Sequence, residues 1–413
     1  LIEATIPKST DLCATAEDKV NLWTMSAIAL LVFYGNYMVA PLIPAFSREF
    51  GVTPYRLGWL VPGFSTAYGI ATLVNGVLSD LLGRLPVLKA LLILAAATTT
   101  MASFAATARQ LIALRILCGV GYGGIVTGAL AFVGDRYPYP VQGSPMGKVF
   151  GAVAAGMGLG SSFGPILNPL LGWRVEFRIL ACGLALIAIF LMRRTARFVG
   201  QGQQFHARYD IASEYPLILE APRGLRTMIF IFCNAIFHGG IFAWLGLLIA
   251  SRYHLGDVGI GFVLAGYGLP DLFFGGIIGG WGDRYGRRYV VPLGFLWAGF
   301  CVLFLGLPIS SLEAALAVAA LSVGFEATHP LLSSIATSLD PGYRGQITGL
   351  ATFAKFLGMA VGALIFERLM RMSLNTALIV FATSELLVGL AAIHAFRGEY
   401  PAMPAPTGEA CGR

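Results

Sequence analysis

Runs of about 20 apolar residues recur along the whole chain, at 23–46, 57–79, 86–106, 110–134, 147–168, 175–195, 227–250, 258–282, 289–308, 312–337, 344–368 and 374–397. Each has the length that crosses a hydrocarbon core roughly 30 Å thick. Spans that are apolar on every side must be helical, because lipid offers no partner for open backbone N–H and C=O groups. A polar, basic stretch from Arg193 to Arg226, with Gly200, Gly202, Gln203, Gln204, Pro216 and Pro222, falls after the sixth run. The pattern therefore predicts an all-α membrane protein of twelve transmembrane helices in two six-helix bundles. Its divisions are an N-terminal tail at 1–22, a first bundle at 23–196, a linker at 197–225, a second bundle at 226–397 and a C-terminal tail at 398–413.

Composition agrees with that pattern. Hydrophobic residues make up 57% of the 413 and charged residues 12%, where a soluble domain carries about a quarter charged. The 52 glycines and 21 prolines suit membrane helices, whose interfaces favour small residues. A net charge of +7 raises nucleic acid as a partner until position is considered. With the N-terminus in the cytoplasm, eighteen basic residues fall in inside segments, eight fall outside, and Arg115 and Lys355 lie within spans. The positive-inside rule then puts both termini in the cytoplasm. Leu1 to Asn21 is polar and of mixed charge, so no cleavable signal is expected there and the first span serves as the insertion signal. Six scattered cysteines without CxxC spacing predict neither disulfides nor a metal site.

The two halves repeat one signal at the junction of their second and third spans: Gly76, Asp80, Gly83 and Arg84 in the first, and Gly279, Asp283, Arg284, Gly286, Arg287 and Arg288 in the second. The two aspartates stand 203 residues apart, about half the chain. Six-helix halves related by an axis along the membrane normal are a known transporter layout, with the substrate site between them near mid-membrane. This repeated pattern resembles the loop signature of the major facilitator superfamily. The resemblance implies a gating latch in which Asp135 and Arg136, at the end of span 4, are partners of the first loop. The first copy departs from the pattern at Leu81 and Leu85.

Three N-half patterns are similar to those of the twelve-helix drug:proton antiporters. Gly35, Pro41 and Pro44 match a Gx5PxxP pattern, and Leu111, Arg115, Gly119 and Gly121 match LxxxRxxxGxG, whose arginine is implied in proton coupling. Gly156, Gly160, Gly164 and Pro165 resemble the antiporter signature, although Asn168 and Pro169 replace its closing glycines. Asp340, Pro341, Arg344 and Gly345 before span 11 also fit the superfamily. The resemblance implies a multi-pass protein of the bacterial inner membrane, monomeric, with a small-molecule substrate, protons and lipid as partners and no nucleic acid or cofactor.

Intramembrane ionisable residues are costly and point to function by default. His238, Asp271, Glu326, Lys355 and Glu385 all fall about 11 to 12 residues into their spans, which at about 1.5 Å per residue is the bilayer middle. His329 shares the helix face of Glu326. Asp271 and Glu326 are therefore candidates for proton coupling together with Arg115, while His238, His329 and Lys355 tune them or contact substrate. Asn36, Tyr34, Tyr37 and Tyr68 are candidates for the cavity lining. Each has a plainer reading: Asp271 caps a kink after Pro270, Glu326 and Lys355 form a static pair, Glu385 is structural, and the tyrosines and amides hydrogen-bond between helices. The leading expectation is a proton-driven exporter of a small organic compound. Its rivals are a proton symporter importing an organic acid or sugar and a transport-inactive sensor. An enzyme is not expected, because the glycines at 121–124 pack a span and cradle no phosphate. The mixed His, Lys and carboxylate set suits an anionic or zwitterionic cargo as readily as a drug.

Overall fold

A computed structural model describes residues 16–137, 143–194, 219–339 and 344–399. The first half holds α1 (Ala16–Tyr37), α2 (Ile43–Phe50), α3 (Leu60–Leu82), α4 (Arg84–Ala102), α5 (Ala108–Tyr122), α6 (Ile125–Arg136), α7 (Gly143–Leu171) and α8 (Trp173–Arg193). The second holds α9 (Pro222–Tyr253), α10 (Asp257–Tyr285), α11 (Arg287–Leu305), α12 (Ser311–Thr337), α13 (Arg344–Met370) and α14 (Leu374–Ala395). Among the described residues, eleven segments are long and apolar enough to cross a membrane, and α10 supplies a further one that is apolar over Asp257–Gly268. The face where the chain enters α1 and leaves α14 is called the terminal face below, and the opposite one the far face.

The seventh span starts at Pro222, inside the stretch expected as linker, and two others depart further from the sequence pattern. The first begins at Ala16, before the apolar run, because Asp18 is held by Arg136 at 2.6 Å and its carbonyl accepts a hydrogen bond from the Tyr137 hydroxyl. The fourth is broken into α5 and α6 at Gly123 and Gly124. Gly124 has φ +94°, which an L side chain rarely adopts, and Asn75 of α3 donates to the freed Gly123 carbonyl at 2.6 Å. Asn75 thus satisfies a backbone break inside the bundle, which lipid could not do.

The internal repeat is visible in the backbone. Gly83 joins α3 to α4 at φ 91° and ψ 146°, and Gly286 joins α10 to α11 at φ 87° and ψ 145°. Each half also contains close glycine crossings. In the first, a Cβ on Gly156 would strike the Leu30 carbonyl, one on Gly160 would lie 2.5 Å from the Tyr34 carbonyl, and one on Gly164 would lie 3.0 Å from Met38 Cβ. In the second, α13 meets α9 through Gly358 and Gly362, which abut the Phe232 and Ile236 carbonyls. Small residues let these backbones touch.

Between the halves, the described contacts run from the far face past mid-membrane, as far as Leu73 of α3, which lies 3.8 Å from a Cβ placed on Gly349 of α13. At the far face Arg48 of α2 pairs with Asp257 of α10 at 2.5 Å, and Asn168 of α7 donates to the other oxygen of Asp257 at 2.8 Å. Asn168 also accepts from the Trp173 backbone, and Trp173 and Arg174 both hold Glu49, so α2, α7 and α8 reach α10 through one polar network. Nearby, Tyr55 lies 6.4 Å from Trp244 and under the Arg371 guanidinium. Deeper in, Gly158 of α7 touches Gly268 of α10, and Tyr68 of α3 stacks on Phe356 of α13 with centroids 3.9 Å apart. On the terminal face, by contrast, the described ion pairs stay within one half: Arg84 with Asp135, Arg136 with Asp18, and Arg223 and Arg226 with Glu399. Replacing Asp257 with Ala removes the far-face pair. Because Arg48 is 60% exposed, the loss should be about 1 kcal/mol or less. Far-face accessibility to a cysteine reagent should then rise by no more than a few-fold, with folding unchanged.

The terminal-face pair at Glu399 straps the end of the chain to α9. Arg223 binds both carboxylate oxygens, at 2.9 and 2.8 Å, and Arg226 adds a bond of 2.7 Å. Burial by itself raises this carboxyl, but the hydrogen bonds and charges of Arg223 and Arg226 outweigh it and hold the group below its ordinary value of 4.5. A depressed carboxyl contributes stability that is complete above that ordinary value and is lost as pH falls through the folded one. Limited proteolysis should therefore release the C-terminal end at acidic pH and not at neutral pH. In Glu399→Gln, release should be nearly independent of pH.

Candidate functional site

Four of the six charged or histidine candidates in the second half converge. Lys355 on α13 interacts electrostatically with Glu326 on α12, with His329 one turn further along, and with His238 on α9. These positions are central along their helices, yet each side chain keeps accessible surface. Since the groups face one another, that surface opens into the space between helices. No nitrogen of Lys355 comes within 4.0 Å of Glu326, and neither side chain makes a hydrogen bond among the described residues. The static-pair reading thus lacks the direct contact that would fix helix register.

Rings roof this cluster on its far side. The Tyr267 hydroxyl lies 3.0 Å from His238, and the Tyr37 hydroxyl lies 3.3 Å from His238 Nε2. Phe325 packs on the same imidazole at 4.4 Å between centroids, with Phe242 at 6.1 Å. Tyr37 belongs to the first half, so His238 is hydrogen-bonded across the boundary between halves. Tyr68 reaches the cluster through Phe356, the neighbour of Lys355. Sequence reasoning missed Tyr267, Phe325 and Phe242. Tyr267, four residues before Asp271, was the one with an available signal, as a polar group on the same span.

Other candidates lie apart. Arg115 is buried in the first half, with its guanidinium 4.1 Å from the Phe64 ring centre and one nitrogen donating to the Gly35 carbonyl at 3.4 Å. The LxxxRxxxGxG residues therefore join α5 to α1 and α3. Tyr34 faces Glu176, a buried acid in the first turn of α8 whose two oxygens have no partner among the described residues. Asn36 is buried, and its amide nitrogen has no hydrogen-bond partner among the described residues. Glu385 is buried beside Cys233, away from the cluster. Asp271 lies on α10, but its side chain is outside the described residues, as are those of Asp80, Asp283, Gly279, Arg344 and Gly345. Asp340 and Pro341 lie outside them altogether. The equivalent loop arginines act alike: Arg84 pairs with Asp135 at the end of α6, and Arg287 donates to Ser334 near the end of α12 at 2.8 Å.

The profile described as the Major Facilitator Superfamily matches residues 25–363 and, in a second alignment, 227–410. This chain belongs to the Major Facilitator Superfamily. It is a membrane transporter of that family and not an enzyme. The bacillibactin exporter of Bacillus subtilis is 24% identical over 388 residues, which cover 88% of this chain and 92% of that one. The benzoate transport protein of Acinetobacter baylyi is 27% identical over 309 residues, 65% of this chain and 64% of that one. Among solved structures, a bacterial homologue of the human lysosomal transporter Spinster, inward-facing and unoccupied, superposes with a TM-score of 0.77. It is 15% identical and covers 95% of this chain and 100% of its own. That superposition shows the superfamily fold. The glycine crossings, the paired loop turns and the mid-membrane cluster are therefore features of a superfamily transporter with its ionisable groups gathered in the second half.

Proposed function

We propose that this transporter is a proton-coupled antiporter that exports a small organic compound by alternating access from a bacterial inner membrane, with both termini in the cytoplasm. The observation that carries the reading is Glu326: an intramembrane carboxyl beside Lys355, open to the space between helices and without a hydrogen bond among the described residues. A carboxyl so placed gains a proton when its cation moves away and loses it when a cation approaches. Asp271 is the second carrier in this scheme, and Arg115 supports coupling from the first half. With the terminal face cytoplasmic, the far-face contacts between halves are those of an inward-open arrangement. The similarity to the bacillibactin exporter along most of the chain and the glycine packing of α7 on α1 support export.

Import of an organic acid by symport is the second reading, and the benzoate transport protein, similar over part of the chain, bears the name of such an acid. The two differ in the sign of coupling. The test is an inverted-vesicle assay with an acidified lumen, challenged with pooled metabolites and drugs. Export by exchange predicts that a cargo pool dissipates the gradient, and that Glu326→Gln and Asp271→Asn do not respond. A response that persists in both variants contradicts the assignment of these carboxyls.

A further inference from the structure

We infer that the exported cargo is a zwitterion whose cationic group takes the place of the proton at Glu326 and whose anionic group rests on Lys355; this rests on the antiport reading. Two charges of opposite sign stand on neighbouring helices, α12 and α13, near mid-membrane. They are near enough to interact and too far apart for an ion pair within 4.0 Å. Each keeps accessible surface, and neither is hydrogen-bonded among the described residues. A charge taken from bulk water and left without a partner costs several kcal/mol, so both groups are completed by something that enters the space between them.

Linkage decides what that is. A cation arriving at Glu326 competes with a proton, so cargo and proton occupy the site in turn and are exchanged. A lone anion arriving at Lys355 cancels the charge that keeps Glu326 ionised, draws a proton in, and moves with it in the same direction. Exchange therefore requires a cationic group on the cargo, while Lys355, which has no partner of its own, requires an anionic one. Two histidines also face the pair. His329 lies on the Glu326 face of α12, and His238 faces them from α9 with its imidazole engaged by Tyr37 and Tyr267. The Asp271 side chain, on α10, is outside the described residues. The rings of Tyr37, Tyr267 and Phe325 pack against His238, and that of Phe356 lies beside Lys355, which suits an apolar body beside the two charges.

The test uses matched trios of compounds that share one body: an amino acid, the amine lacking its carboxylate, and the acid lacking its amine. Phenyl, indole and isobutyl bodies are each titrated against the purified full-length protein, with calorimetry and proton release recorded together. For at least one body the amino acid should bind tenfold or more tightly than either partner. Lys355→Gln should weaken it tenfold or more, to the level of the amine, as expected on removing one partner of a buried charge pair. Lys355→Arg should retain binding, and Glu326→Gln should lower it to the level of the acid. The comparison within the wild-type protein needs no variant to fold. Binding of an amine equal to its amino acid, or no amino acid bound from any trio, overturns the inference. Proton release by amines alone leaves exchange standing and removes the zwitterion. Amino-acid binding that needs both charges and releases no proton does the reverse.

Discussion

Glu326→Gln should abolish proton-driven accumulation while leaving cargo counterflow between two equilibrated compartments in place. A neutral amide can neither take nor release the proton, so the variant becomes a carrier uncoupled from the gradient. The energy at stake is set by the membrane: about 2.3 kcal/mol for each charge moved through 100 mV, equal to a roughly fiftyfold concentration ratio for one coupled proton. The wild-type protein should sustain a ratio of that order in energised vesicles, and the variant a ratio near one. Lys355→Gln should behave differently. It removes the cation beside Glu326 but leaves the carboxyl able to carry a proton, so exchange is weakened and its pH dependence shifted while coupling itself is kept. Vesicle transport measured as a function of pH separates the two variants.

Gly268→Leu should trap the far face open. Gly268 and Gly158 meet backbone to backbone where α10 crosses α7, and a Cβ on Gly268 would overlap the Gly158 Cα. No side chain is available to move aside, and overpacking of such a contact costs about 1–3 kcal/mol or more. The closed far face should be depleted roughly ten- to hundredfold relative to its alternative. Spin labels at the exposed far-face positions 56 and 251, one in each half, should show a longer distance in this variant, with transport near background. Thermal stability should fall less than transport, because each half keeps its own glycine crossings. The Asp257→Ala variant offers a useful contrast: it loosens the same closure through one ion pair whose arginine is exposed and should have the smaller effect.

The spans and their order are legible in the sequence because lipid imposes length and apolarity on each helix separately. The repeat is legible for a related reason: Gly83 and Gly286 must adopt the same positive φ in both halves, and the residues around them reflect it. Depth along a helix gathered His238, Glu326 and Lys355, and the spacing of three residues from Glu326 added His329. Depth could not show azimuth, so it grouped Glu385, which faces Cys233, with the others, and it left Tyr34 beside Glu176 among the cavity candidates. The break at Gly123 and Gly124 was read as packing, because its determinant is Asn75, 48 residues away in sequence. The crossing of α13 on α9 was missed because Gly358 and Gly362 form a bare GxxxG pair, which acquires meaning only when Phe232 and Ile236 lie against it. Arg48, Asp257 and Asn168 belong to three separate loop ends and become a network only when the two halves close on that face.

The most direct measurement is the direction of proton movement when a cargo identified in the vesicle screen is added to the purified transporter in weakly buffered detergent solution. Exchange at Glu326 predicts release of about one proton per cargo bound, lost in Glu326→Gln while binding itself is only weakened. Uptake of a proton on cargo binding would contradict the account, because cargo and proton would then occupy the transporter together and travel the same way.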